Sequence, residues 1–157
     1  MKTQYVLRIA LAAGLAVGLA GGAMAAGEHS HDAASTVTLT LDHGKKWTVD
    51  EPARHAMGEI RNAMAGALDA IHHDKYSAAD YTALSGKVEE AVQYMVTNCK
   101  LAPEVDEQLH IVLGEIMEGA DAMKGGKHAQ DGAVKVVKAL DAYGKHFEHA
   151  GWKPLEH

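Results

Sequence analysis

Ala53, Met57, Ile60, Met64, Ala67 and Ile71 follow one another at spacings of 4, 3, 4, 3 and 4 residues, so all of them fall on one face of an α-helix and on no face of a strand. A stripe that long has to be covered. Three more follow it: Tyr81, Leu84, Val88, Ala91 and Met95; Val105, Leu109, Val112, Ile116, Ala120 and Met123; Val136, Leu140, Tyr143 and Phe147. The punctuation between the stripes agrees. Thr48 with Glu51 reads as a capping box, Pro52 falls in the first turn where its missing N–H is harmless, and Trp47 can staple against that turn. The first helix then runs to about His73, the second from roughly Ser77 to Asn98, the third from Pro103 to Gly125-Gly126 and the fourth from about His128 to His149. Four one-sided helices joined by short connections predict an all-α, antiparallel up-down-up-down four-helix bundle.

Two segments precede the bundle. Residues 1–25 hold Lys2 and Arg8, a short apolar run from Ile9 to Ala20 and the small residues Ala23-Met24-Ala25, the layout of a signal peptide cleaved after Ala25. The run is too short and too rich in glycine for a membrane span. Export to the periplasm is therefore expected. Residues 26–46 form a polar tail containing His29 and His31, then an extended N-terminal arm in which Val37, Leu39 and Leu41 alternate before a turn at Asp42-His43-Gly44. The arm has no sheet to join and should lie along the domain, the bundle takes residues 47–152, and residues 153–157 are a C-terminal tail. Without residues 1–25, 13 of the 15 basic residues remain against 21 acidic ones, a net charge of −8 with histidine neutral. That balance argues against nucleic acid or anionic lipid as a partner.

The chain has a single cysteine, Cys99, so no internal disulfide can form and the fold rests on its apolar core. A lone thiol in an oxidising compartment is buried, joined to another chain as a disulfide-linked dimer, or held by a metal. Phosphate loops, nucleophile elbows and the CxxC, HExxH and CxxCH motifs are absent, which points to a non-enzymatic protein. In an up-down-up-down bundle, the first helix's start, the second's end, the third's start and the fourth's end share one end of the molecule. Those segments carry His55 and Met57, Met95 and Cys99, His110, and His146 and His149. Across the turn Lys100-Leu101-Ala102-Pro103-Glu104, His110 should lie about level with Met95, one helical turn above Cys99. A cysteine, methionines and histidines in one place suit copper or another transition metal, with His29 and His31 as a capture arm. Core packing for Cys99, Met57 and Met95, and solvation for the histidines, are the plain alternatives.

Ile111-Val112-Leu113-Gly114-Glu115-Ile116 resembles the Ile-Leu-Val-Gly-Gln-Ile stretch of the cytochrome b562 family of periplasmic four-helix bundles. That resemblance covers about two thirds of the chain beyond residue 25 and implies a haem b held between Met57, which opens Met-Gly-Glu-Ile60, and His146. Where that family has aromatic residues lining haem this chain has Val105 and Leu109, and where it has basic residues this chain has Ala142 and Ala150. The chain is also similar to small exported bundle proteins that share Gly44-Lys45-Lys46-Trp47, Asn98-Cys99-Lys100-Leu101 and Phe147-Glu148-His149-Ala150-Gly151-Trp152, a likeness that draws attention to Cys99 and His149. Three readings result: a copper-binding buffer or carrier, a b-type haem electron carrier, and a cofactor-free interaction or stress-adaptor module working with a periplasmic partner protein.

Overall fold

The structure is a computed structural model and describes residues 38–156. The segments read as signal peptide and polar tail, His29 and His31 among them, lie outside the described residues. Four helices make up the domain: α1 (Glu51–His72), α2 (Ala78–Asn98), α3 (Pro103–Lys124) and α4 (Ala129–His146). Among the described residues no helix is long and apolar enough to cross a membrane.

All the stripe residues of the first, second and fourth helices are buried, and of the third only Val105 is partly exposed. The expected bundle is the observed one. Side chains cap α1 and α2 but not α3 and α4, and at α1 the cap corrects the expectation. The Asp50 carboxylate, not Thr48, accepts the Ala53 N–H at 3.0 Å and caps α1, with Pro52 in the first turn as expected. At α2, Ser77 and Asp80 form a reciprocal capping box.

Helix α4 is shorter than its apolar stripe predicts. It stops at His146, because Phe147–Glu148 (β2) leaves the helix to pair in parallel with Trp47–Thr48 (β1), Trp47 opposite Phe147. Phe147 remains in the core all the same, at 1% exposure. Helices α3 and α4 cross so closely at Gly119 and Gly132 that a Cβ on either would collide with the other's carbonyl oxygen. The buried Ser85 hydroxyl donates across to the Ala120 carbonyl at 2.7 Å, tying α2 to α3.

The arm lies along the bundle, as far as it is described. Thr40 N–H donates to Oε1 of the buried Gln108 at 2.7 Å, and Trp47 Nε1 donates to the Thr40 carbonyl at 2.6 Å. Asp42 and Lys45 then close a turn in which His43 and Gly44 have φ of 47° and 84°. Beyond β2 the chain forms a C-terminal strap. Trp152 N–H closes a turn onto the His149 carbonyl at 3.0 Å, the pyrrole side of the Trp152 indole packs closely on Gly144 of α4, the Lys153 carbonyl accepts from Arg61 Nε of α1, and Leu155 enters the core. The strap therefore bridges α4 and α1.

Candidate functional site at the Cys99 end

Asp50 organises this end of the bundle. One carboxylate oxygen caps α1, and the other accepts the Lys100 N–H at 2.7 Å, so the same side chain pins the connection between α2 and α3. The Cys99 thiol donates to it as well. Burial alone would raise the Asp50 carboxyl, but the two N–H groups, the thiol and the Arg54 charge hold it below its ordinary value.

Cys99 is the C-cap of α2 and half-buried, and its N–H donates to the Met95 carbonyl at 2.9 Å. The thiol therefore stands one helical turn beyond Met95 on the same face. Burial, then the Asp50 hydrogen bond and the charges of Asp50 and Asp106, push the thiol up to about 12. At neutral pH it keeps its proton.

Opposite lies an aromatic cluster built by α4 and the strap. The Tyr143 ring, fully buried, stacks on Phe147 with centroids 5.1 Å apart and meets Trp152 edge-on at 4.8 Å. Its hydroxyl is 3.1 Å from His149 Nδ1. Burial pushes the Tyr143 phenol well up, with the nearby Arg54 charge opposing and Cys99 and Asp50 reinforcing. Burial, aided by Arg54, pushes His149 below its ordinary value, so this imidazole is neutral at pH 7. The Arg54 guanidinium is itself held by the Val49 carbonyl.

The other donors are dispersed. Met57 and Met95 are core residues, 0% and 1% exposed. His110 turns to solvent, its side chain 66% exposed and its Nδ1 2.9 Å from its own helix's Asp106 carbonyl. His146 is half-buried with Nδ1 2.8 Å from the Ala142 carbonyl. Among the described residues no three histidine, cysteine, aspartate or glutamate side chains converge to hold one metal ion. A closed tetrahedral zinc site takes four sulfur, nitrogen or oxygen ligands. The thiol and thioether of Cys99 and Met95 instead fit a soft ion of low coordination number.

The sequence reading overlooked Asp50, Arg54 and Tyr143. Asp50 carried a signal, an Asp two residues before a helix-opening proline. Comparison with family models, with curated proteins and with solved structures finds no match.

Proposed function

We propose that the chain is a non-enzymatic exported protein that buffers or carries copper in its reduced form, anchored by Cys99 with Met95 as second donor. One observation supports this reading above the others: the only thiol of the chain stands half-buried one turn from a buried thioether, at the bundle end. His149, His146, His110 and Met57 are weaker or peripheral donors here, and His29 and His31 serve as the capture arm. Copper(I) displaces the thiol proton, and the Asp50 carboxylate beside the sulfur, too weak a base to keep it, passes it on to solvent.

The test is anaerobic competition for copper(I) against a chromogenic chelator. Cys99→Ser should weaken binding by about tenfold or more, since even outer partners of a metal site are worth that much. Met95→Leu should weaken it less, and unchanged affinity in Cys99→Ser overturns the reading.

Haem b between Met57 and His146 is the second reading. It is favoured by the Ala142 carbonyl, which fixes His146 Nδ1 and leaves Nε2 as the free nitrogen, the usual arrangement behind an axial histidine. Haemin added to the purified chain should then give a Soret band that His146→Ala abolishes.

A further inference from the structure

The strap roofs a pocket of about 190 Å³ against the middle of α1, and its polar lining is all donor-bearing. From α1 come Arg61 and Asn62; from the strap come His149, Trp152 and Lys153. No acidic side chain lines it, although the whole chain carries 21 acidic and 15 basic residues. A small region with two cations and no carboxylate, in an acidic protein, concentrates anions.

The internal hydrogen bonds decide what each group has left to offer. Arg61 Nε is engaged by the Lys153 carbonyl and its Nη1 lies 3.3 Å from Asn62 Oδ1, which leaves Nη2 and a second Nη1 hydrogen. Because Asn62 Oδ1 accepts from Arg61, its amide nitrogen is left as a donor. His149 Nδ1 is taken by Tyr143, leaving Nε2. The Lys153 ammonium has no ion pair among the described residues. The Trp152 indole N–H has no acceptor among the described residues, but it is buried against Gly144 of α4 and is not offered to the pocket.

We propose that this pocket binds a small oxyanion of phosphate size, clamped between Arg61 and Lys153 with Asn62 and His149 as neutral donors. Guanidinium and ammonium groups recognise such an ion through charge-assisted hydrogen bonds, and the backbone flexibility of Gly151, at φ 80°, shapes the roof. The pocket does not include Cys99 or Met95, and His149 is the one residue it shares with the copper reading.

The experiment titrates the full chain with inorganic phosphate, with acetate and chloride as separate arms, following the His149 and Gly151 resonances by NMR. Saturable shifts with phosphate, weaker with acetate and absent with chloride, are expected. Lys153→Ala keeps the backbone carbonyl that anchors Arg61, so the strap should stay closed while phosphate affinity falls about tenfold or more, the usual weight of one charge-assisted bond. Arg61→Gln should remove binding. Saturation by acetate at equal affinity would make the ligand a carboxylate and overturn the phosphate assignment. No saturable shift with any anion, or unchanged phosphate affinity in Lys153→Ala, overturns the pocket as an anion site.

Discussion

Tyr143 and His149 satisfy each other in a place where water does not reach the phenol. Tyr143→Phe should destabilise the domain by about 1 to 3 kcal/mol, because it strands a partly buried ring nitrogen, and urea unfolding measures it. His149 has a depressed pKa in the folded chain, so its contribution is complete above the unfolded value near 6.5 and is lost as pH falls below it. Unfolding midpoints at pH 7.5 and pH 5 should differ more in the wild type than in His149→Gln. The raised thiol runs the other way: Cys99 contributes fully below pH 9.0 and loses that contribution as pH climbs towards about 12. Labelling by a disulfide reagent at pH 8 should accordingly be slow, and Asp50→Asn, which removes the carboxylate beside the sulfur, should speed it.

At the scale of elements, every helix was legible in its apolar period, because each stripe is a local pattern that only helix geometry brings together. The end of α4 was not. Phe147 continues the stripe, and what pulls it out of the helix is a strand partner 100 residues earlier, invisible to any window of sequence. The donors could be placed at one end of the bundle by topology alone, but their facing could not. His110 follows buried Leu109 by a rotation of about 100°, enough to turn it to solvent. Small residues also escaped notice. Gly132→Ala should cost about 1 to 3 kcal/mol through overpacking at the α3–α4 crossing, and Gly144→Ala should lift the Trp152 indole off α4; thermal melts and tryptophan fluorescence report each.

For the whole molecule, copper(I) bound only by the folded state should raise the melting temperature in proportion to the logarithm of free metal over its dissociation constant. Because the ion replaces a proton, that affinity should fall by about tenfold for each pH unit of acidification, and a flat pH profile would argue for ligands other than the thiol. The pairing of β1 with β2 acts at this scale too. Each helix packs mainly against its neighbour in sequence, and this parallel contact, joining Thr48 to Glu148, reinforces the lighter packing of α1 on α4. Parallel strands whose outer ends lead to the two ends of the domain are loaded in shear when those ends are pulled apart, so both strand residues must give way together. Under tension the two-residue clasp and the strap behind it are the first barrier, and the four helices are shielded until it slips.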